Sequence, residues 1–270
     1  MRYVDPVHEG PTDPTVVWNP WARAWWMFYT SRRANVPGLP GVSWVHGTPV
    51  GIATSADGFA WDHLGHAVID VPEPTLWAPE VIVHEGLGHM FLTVVPGVFT
   101  DWEADRSIVH LVSDDLRHWR EPRRLVLSSS RVIDACVHQL EDGTWRLWYN
   151  DEPSGKQTFF ADSPDLRSWT DRGQAVGDQP GEGPNVFRWR GGYWMVVDVW
   201  DGLAVYRSDD ALTWARQPGT ILRDDPRAHH ADVLVRDGRA LLYYFTPTGE
   251  RTSAVGVAEL GLRDGRLTTS

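Results

Sequence analysis

Apolar and polar residues alternate along most of the chain with a period of two, as in β-strands that bury one face. Short β-branched runs, such as Thr15-Val16-Val17 and Val81-Ile82-Val83, are each followed by a turn and an aromatic-rich run, such as Trp25 to Tyr29. The turns carry hairpin pairs, for example Asp142-Gly143 and Gly191-Gly192. No helical period competes with this alternation, so the pattern predicts an all-β protein.

A seven-residue motif, Ser-x-Asp-x-x-x-Trp, recurs where these strands end in turns. It occurs at Ser55/Asp57/Trp61, Ser113/Asp115/Trp119, Ser163/Asp165/Trp169 and Ser208/Asp210/Trp214. Ser and Asp side chains close such turns by bonding nearby backbone groups, and the Trp begins the next strand. A recurrence at this spacing indicates a repeat protein.

A second element recurs five times and begins with an acidic residue or a histidine ahead of a β-branched strand. Its first residues are Asp13, Glu80, Asp134, Glu182 and His230. Three or four strands fit each copy, which predicts a five-bladed β-propeller with four-stranded antiparallel blades, formed by residues 1–270 as one domain. We expect a late strand at Ala254 to Leu260 and the N-terminal Arg2 to Val7 to complete the closing blade.

Charge and composition narrow the class of partner. The chain has 25 Lys and Arg against 36 Asp and Glu, a formal net charge of -11, and no basic block. Nucleic acids and anionic membranes are bound by clustered cations, so neither is an expected partner. No apolar run approaches the roughly 20 residues of a membrane helix. The N-terminal residues lack the apolar stretch of a signal peptide, which predicts a cytoplasmic protein; the oligomeric state stays open.

The 16 tryptophans have two explanations, packing between blades or stacking on sugar rings. Most fall at repeated positions, so we expect most of them to pack blades. Trp77 and Trp200 lie beside the predicted cavity rim and are candidates for stacking on a sugar. Cys136, the single cysteine, excludes an intramolecular disulfide and is interpreted as a buried packing residue.

The innermost strand of every propeller blade lines the axial cavity, so the five residues that begin the second element should converge there. Carboxylates a few ångströms apart raise one another's pKa, and such a cluster is costly to keep without a function. The alternative is that these residues cap strands or bind a structural cation.

The sequence contexts of these five residues resemble those of glycoside hydrolase family 43 and its five-bladed relatives. The segments are Thr12-Asp13-Pro14, Trp77-Ala78-Pro79-Glu80, Val132-Ile133-Asp134-Ala135 and Glu182-Gly183-Pro184, followed by His230. The resemblance covers nearly the whole chain and lies in order and spacing. It implies that Asp13 is the general base, that Asp134 orients the acid and tunes its pKa, and that Glu182 is the general acid.

The resemblance also suggests further residues that bind the substrate, and it suggests a bound cation. Where the family continues with Asp, this chain has Glu80, whose role is open; we place it among the substrate-binding residues with Trp77, Trp200, Arg227 and His138. A fifth-blade histidine, here His230, implies a nearby water or a structural divalent cation such as Ca²⁺ in the central channel. No cofactor is expected to be required.

An inverting glycosidase needs one protonated carboxyl and one ionised carboxylate roughly 6.5 to 9.5 Å apart, which opposite blades of a small propeller can supply. The sequence therefore predicts an exo-acting, inverting glycosidase that releases a terminal pentose-type sugar, as an arabinofuranosidase or xylosidase does. Two insertions, Ser31 to Gly47 and Val95 to Asp105, assigned to blades one and three, should wall off one end of the pocket.

Two other functions stay open. The first is a 3,6-anhydro-L-galactosidase of the family 117 type, whose acid is a histidine just before the fourth-blade Glu. This chain has Gly181 at that position, so His138, His229 or His230 would have to supply the imidazole. The second is a carbohydrate-binding propeller without catalysis, which would keep the aromatic residues but would not need three carboxylates. A transferring or phosphorolytic enzyme would need more cations than Arg227, His229 and His230 offer.

Overall fold

The computed structural model describes residues 2–224 and 227–269, and β-strands account for its regular structure. The strands form five antiparallel blades whose strands follow one another from the centre outward. The only helical element among the described residues is a single 3₁₀ turn, Ser43–Val45. Within those residues no helix is long and apolar enough to cross a membrane. The five-bladed propeller with four-stranded blades is confirmed.

The strand bounds follow in chain order. Blade one holds β1 (Pro11–Asn19), β2 (Ala24–Ser31), β3 (Val50–Ser55) and β4 (Asp62–His66). The short β5 (Val68–Ile69) precedes blade two, which holds β6 (Thr75–His84), β7 (Leu87–Val95), β8 (Ser107–Ser113) and β9 (His118–Arg124); β5 pairs in parallel with β9. Blade three holds β10 (Val132–Gln139), β11 (Trp145–Asp151), β12 (Gln157–Ser163) and β13 (Thr170–Val176). Blade four holds β14 (Glu182–Trp189), β15 (Gly192–Asp198), β16 (Leu203–Ser208) and β17 (Ala215–Ile221). Blade five holds β18 (His229–Arg236), β19 (Arg239–Pro247), β20 (Ser253–Arg263) and β21 (Arg266–Thr269).

The inner strands β1, β6, β10, β14 and β18 contact one another in that order, and β18 contacts β1, so the ring closes. The N-terminal segment contributes to closure through Tyr3, which exchanges two backbone hydrogen bonds of 2.8 Å with Val255 on β20. The expectation that Arg2 to Val7 completes the closing blade holds at Tyr3 only. The fourth strand of blade five is β21.

The Ser-x-Asp-x-x-x-Trp motif forms the predicted turn between the third and fourth strands of four blades. In each copy the Ser hydroxyl donates to the Asp carboxylate, over distances of 2.9 to 3.2 Å. The same carboxylate oxygen accepts backbone N–H groups two and three residues further on. These bonds stop the third strand and start the fourth.

Apolar clusters between neighbouring blades form the core. Between blades one and two, for example, Phe28 and Ile52 pack with Leu92 and Trp119, all of them almost fully buried. Burial of each such side chain contributes roughly 1.5–3 kcal/mol. The predicted packing role holds for most tryptophans; the exposed ones are Trp18, Trp21, Trp102 and Trp200.

Every inner strand is irregular near its start, and this irregularity decides which side chains reach the end of the channel. The bulged residues are Asp13, Ala78, Asp134, Gly183 and His230, which all have positive φ, between 25° and 61°. Non-glycine residues at positive φ cost of order 1 kcal/mol or more and concentrate at functional sites. In blade two the equivalent of Asp13 is therefore Ala78, and Glu80 lies two residues deeper.

A layer of side chains two residues beyond the bulges links the blades around the channel, and we call it the channel ring. It consists of Thr15, Glu80, Cys136, Asn185 and Asp232. Four of them accept the backbone N–H of the next blade: Glu80 from Val137 (2.9 Å), Cys136 from Val186 (3.1 Å), Asn185 from Val233 (3.1 Å) and Asp232 from Val16 (2.8 Å). Thr15 completes the ring by donating its hydroxyl to Glu80 over 3.3 Å.

Candidate active site

A pocket of about 300 Å³, the inner pocket, lies at the end of the channel where the inner strands begin. Antiparallel pairing brings the end of each second strand, and the connection that follows it, to the same place. The inner pocket brings together four residues predicted from the sequence: Asp13, Asp134, Glu182 and His230. They come from blades one, three, four and five.

Asp13 is almost fully buried and is surrounded by cations. The Arg32 guanidinium, just after β2, lies 3.6 Å from one carboxylate oxygen, and Nδ1 of His230 lies 3.5 Å from the other. The Thr12 hydroxyl donates to Asp13 over 3.0 Å. Burial by itself would raise the pKa of Asp13, but Arg32 and His230 hold it below its usual value. Asp13 is therefore ionised near neutral pH and available as a proton acceptor.

Asp134 is buried on the other side of His230, with 3.9 Å between Nδ1 of the imidazole and Oδ1 of the carboxylate. Its second oxygen accepts the backbone N–H of Gly183 over 3.0 Å. Burial raises the pKa of Asp134 to about 7; His230 opposes the rise, and the charges of Glu182 and Asp13 add to it. This carboxyl thus changes its charge in the neutral range.

Glu182 is the residue just before the bulge at Gly183, and its side chain is partly exposed, with 28% of its surface accessible. One carboxylate oxygen lies 3.1 Å from Nζ of Lys156, and the other accepts the indole N–H of Trp200 over 3.3 Å. Glu182 also lines a second pocket of about 440 Å³, the outer pocket. Asp13 lines the inner pocket only, so Glu182 stands at the boundary between the two pockets.

His230 is held in place by its neighbours on two blades. The backbone N–H of His230 donates to Oδ2 of Asp198 over 3.3 Å. Nδ1 of the neighbouring His229 lies 3.0 Å from the same oxygen. A Cβ on Gly183 would lie 2.7 Å from Cγ of the His230 ring, so only glycine fits there. Burial by itself would lower the pKa of His230, but Asp134 and Asp13 raise it above the usual value. The imidazolium is the form favoured between these carboxylates.

No protein-family model matches the chain, and no curated protein matches it. Solved structures do match along its whole length. A thermostable family-43 glycoside hydrolase is 19% identical, with a TM-score of 0.74 over 99% of this chain and 96% of that one. The chain has the fold of family 43 glycoside hydrolases.

Two further structures with this fold match equally well. The β-xylosidase RS223 is 14% identical, with a TM-score of 0.76 over 100% of this chain and 98% of that one. An exo-1,5-α-L-arabinanase from a bovine ruminal metagenomic library is 16% identical, with a TM-score of 0.73 over 99% and 98%. The similarity in fold therefore extends over the complete propeller.

Within this family 43 fold, three residues expected to bind substrate lie outside the inner pocket. Glu80 belongs to the channel ring, because the bulge in β6 falls at Ala78. His138 lies further along the channel with its ring edge against Tyr193 at 6.0 Å, away from Asp134. Arg227 is exposed and donates to the backbone carbonyl of Trp200 over 3.4 Å, so it contacts the rim from outside.

Both predicted tryptophans line the inner pocket. Trp77 is 8% exposed, and its indole donates to the carbonyl of Val45 over 2.6 Å, so it is a fixed part of the wall. Trp200 is 40% exposed, so part of its ring is accessible to a ligand. Trp102, also exposed, lines both pockets together with Trp200 and was not predicted.

The two predicted insertions pack against each other beside the inner pocket. The N–H of Val42 in the first insertion donates to the carbonyl of Thr100 in the second over 3.1 Å. The second insertion links β7 to β8, so it belongs to blade two and not, as assigned from the sequence, to blade three. It supplies Trp102 to the pocket, and Arg106, which follows it directly, also lines the pocket.

Several pocket residues were missed from the sequence, namely Arg32, Trp102, Arg106, Glu152, Lys156, Asp198, Phe245 and Pro247. All lie at the end of a second strand or in the connection that follows it. Because neighbouring strands are antiparallel, a first strand that starts at the pocket is followed by a second strand that ends there. That rule, applied to the predicted hairpins, is the signal that could have identified them.

The divalent cation suggested for His230 does not fit the surrounding residues. Among the described residues no group of three or more His, Cys, Asp or Glu side chains is placed to hold a metal ion. His230 faces Asp13 and Asp134, which favour its protonated form, and an imidazolium has no lone pair to give a metal. We assign no step to a metal.

Proposed function

We propose that the protein hydrolyses a glycosidic bond, with Asp13 as general base and Glu182 as general acid. The observation that carries the proposal is the placement of the two carboxylates. Asp13, kept ionised by Arg32 and His230, lines only the inner pocket, and Glu182 stands where the inner pocket meets the outer one. A sugar in the inner pocket would have Asp13 beside it and its glycosidic oxygen next to Glu182.

The proposed reaction is a single displacement by water. Asp13 accepts a proton from a water molecule while the water oxygen bonds to the anomeric carbon. The bond from that carbon to the leaving oxygen breaks, and Glu182 gives its proton to the leaving oxygen. Because attack and departure occur on opposite faces of the sugar, the released sugar has inverted configuration. Solvent then returns the proton from Asp13 to Glu182.

We further propose that the enzyme acts on chain ends and releases a pentose-type sugar. A volume of about 300 Å³ is at the small end of ligand sites and suits a single sugar residue. The paired insertions limit the pocket on one side, which favours a terminal residue. Proteins of the same fold include a β-xylosidase/α-arabinofuranosidase crystallised with xylotriose and an exo-arabinanase, which supports a pentose substrate.

The first test is a screen of aryl xylosides and arabinofuranosides, with proton NMR of the sugar as it is formed. We expect hydrolysis of one of them, with the anomer of inverted configuration appearing first. Release of the retained anomer would contradict the single displacement. If no glycoside is cleaved but xylotriose binds, the protein is a carbohydrate-binding propeller.

The second test separates the roles of the two carboxylates. Glu182→Gln should lose about 10²–10⁴-fold in turnover on an alkyl or sugar leaving group, but far less on a nitrophenol, which departs without a proton. Asp13→Asn should lose turnover equally on both kinds of substrate, because the attacking water must be activated whichever group leaves. The exposed Glu250→Gln serves as control. If Glu182→Gln loses equally on both substrates and a histidine variant shows the leaving-group dependence, the acid is an imidazole.

A further inference from the structure

The outer pocket is where the leaving group would sit if the proposed function is correct. It is lined by the exposed side chains of Trp102 and Trp200, by the cations Arg106, Arg131 and Lys156, and by three carboxylates, Glu103, Glu152 and Glu182. Lys156 is the only lysine among the 270 residues, and every other residue in the Lys and Arg count is arginine.

Lys156 forms an ion pair with Glu182, the proposed general acid. Its ammonium lies 3.1 Å from Glu182 and 3.1 Å from Glu152, and it lies 5.8 Å from the centre of the Trp200 ring. The ammonium donates to one carboxylate oxygen of Glu182 and the indole N–H of Trp200 donates to the other, whereas a general acid must carry a proton on one of these oxygens. The two carboxylates hold the pKa of Lys156 above its usual value, although burial by itself would lower it. Lys156 therefore stays charged, and it must move away before Glu182 can donate.

Among the described residues that line the outer pocket, no carboxylate other than Glu182 is free to pair with Lys156. Its second carboxylate, Glu152, already pairs with the buried Arg106. The remaining carboxylate of the outer pocket, Glu103, is 80% exposed and lies 2.7 Å from Arg131. Once Glu182 is protonated, Lys156 and Arg106 share one carboxylate, and the pocket has an excess of positive charge. A neutral leaving group leaves that charge unmet.

We propose that the outer pocket accepts a leaving group with a negatively charged substituent, the carboxylate of a uronic acid or a sulfate ester, which draws Lys156 away from Glu182. The anion replaces Glu182 as the partner of the ammonium, with Arg131 at the rim as the second cation. Lys156 is then a positioning residue that allows protonation of Glu182 only when an acidic leaving group is bound. The inference rests on the proposed function and specifies its substrate class.

The single lysine allows a direct binding test that does not depend on activity. Protein grown with ¹³Cε-lysine gives one side-chain NMR signal, which reports the surroundings of Lys156. We expect methyl glucuronide to shift this signal towards its position in the Glu182→Gln variant, and methyl glucoside to leave it unchanged. Methyl glucoside 6-sulfate distinguishes a site for sulfate from one for carboxylate. If neither anion moves the signal, the inference is wrong.

The kinetic test compares two aryl glycosides of the cleaved sugar that differ only in charge, with 4-carboxyphenol or 4-hydroxybenzamide as leaving group. The amide withdraws electrons more strongly, so chemistry alone favours the neutral substrate. We expect kcat/KM to be at least about tenfold higher for the charged substrate, the effect of one charge-assisted hydrogen bond. Lys156→Met should abolish the preference, Lys156→Arg should keep part of it, and the exposed control Arg188→Met should retain it.

The outcomes separate the two proposals. Equal rates on both substrates together with an unmoved lysine signal would overturn the acidic leaving group and leave the glycosidase intact. No cleavage of any glycoside, with a lysine signal that still responds to the anion, would overturn the hydrolytic function while keeping an anion site. A preference that survives Lys156→Met would assign the recognition to the arginines and overturn the role of Lys156.

Discussion

Replacement of Glu80 by Gln tests the assignment of this residue to the channel ring. Burial raises the pKa of Glu80 to about 8, and the neighbouring charge of Asp232 adds to the rise. The folded protein therefore binds a proton on Glu80 between the ordinary value of 4.5 and about 8. Stability falls as pH rises through this range, because the folded state keeps a proton that the unfolded state has already lost.

The size of the effect follows from the same pKa. The rise from 4.5 to about 8, at about 1.4 kcal/mol per pH unit, corresponds to a loss on the order of 5 kcal/mol between pH 4.5 and pH 8. Glu80→Gln cannot ionise, and its amide oxygen can still accept the N–H of Val137. We expect the variant to be less sensitive to pH and more stable than the wild type at pH 9.

The assay is urea unfolding followed by tryptophan fluorescence at pH 5 and pH 9, with the exposed Glu250→Gln as the matched control. Equal pH dependence in the wild type and Glu80→Gln would refute the reasoning about the buried carboxylate. Activity provides a separate check, because Glu80 lies outside the inner pocket. A Glu80→Gln variant that is stable but has lost binding of the sugar would show that the residue contacts substrate after all.

Three further predictions concern the pockets. Gly183→Ala should displace the His230 ring and reduce turnover at least about tenfold, whereas Gly191→Ala, also at positive φ but with no atom near its Cβ, should affect stability alone; circular dichroism and kinetics of both variants decide this. Asp134 loses its proton as pH rises through about 7, and an ionised Asp134 favours the protonated form of a nearby acid; Asp134→Asn should therefore move the basic limb of the pH–activity profile to lower pH, and an unmoved limb would exclude Asp134 as the residue that tunes the acid. Trp102→Ala should raise KM roughly three- to tenfold through lost stacking with little change in kcat, and a change confined to kcat would contradict a stacking role.

The sequence predicted the number of blades because the acidic residue or histidine ahead of a β-branched strand recurs five times, and four of the blades also repeat the same turn. The Ser-x-Asp-x-x-x-Trp motif satisfies its own backbone within a few residues, so its spacing gives the strand boundaries without knowledge of long-range contacts. The same local logic placed Asp13, Asp134 and His230 at the inner pocket, since each begins an inner strand.

The wrong placement of Glu80 has an equally local cause. Acidic residues were aligned with one another, although the bulge in β6 falls at Ala78. The prolines would have given the correct register, because Pro14, Pro79 and Pro184 each follow the bulged residue. With that alignment Ala78 and Gly183 match Asp13, and Glu182 precedes its bulge by one residue.

Five of the eight residues that were missed come from connections, where no repeat fixes the path of the chain. Lys156 lies in the turn between β11 and β12, and nothing in that segment indicates that its ammonium reaches blade four. Trp102 lies in an insertion whose position depends on packing against another insertion. The sequence could direct attention to these connections but could not say which side chains enter the pocket.

The channel ring has a consequence for how the chain folds. Three of its contacts join residues 48 to 57 positions apart, whereas the contact of Val16 with Asp232 joins residues 216 positions apart. The entropy of closing the longer loop costs about 1.3 kcal/mol more. Blades one to five can thus associate one after another during synthesis, and only the contact between blade one and blade five has to wait for the last blade. The seam between blades five and one should be the last to form and the first to admit solvent, so the amide of Val16 should exchange its hydrogen sooner than that of Val137.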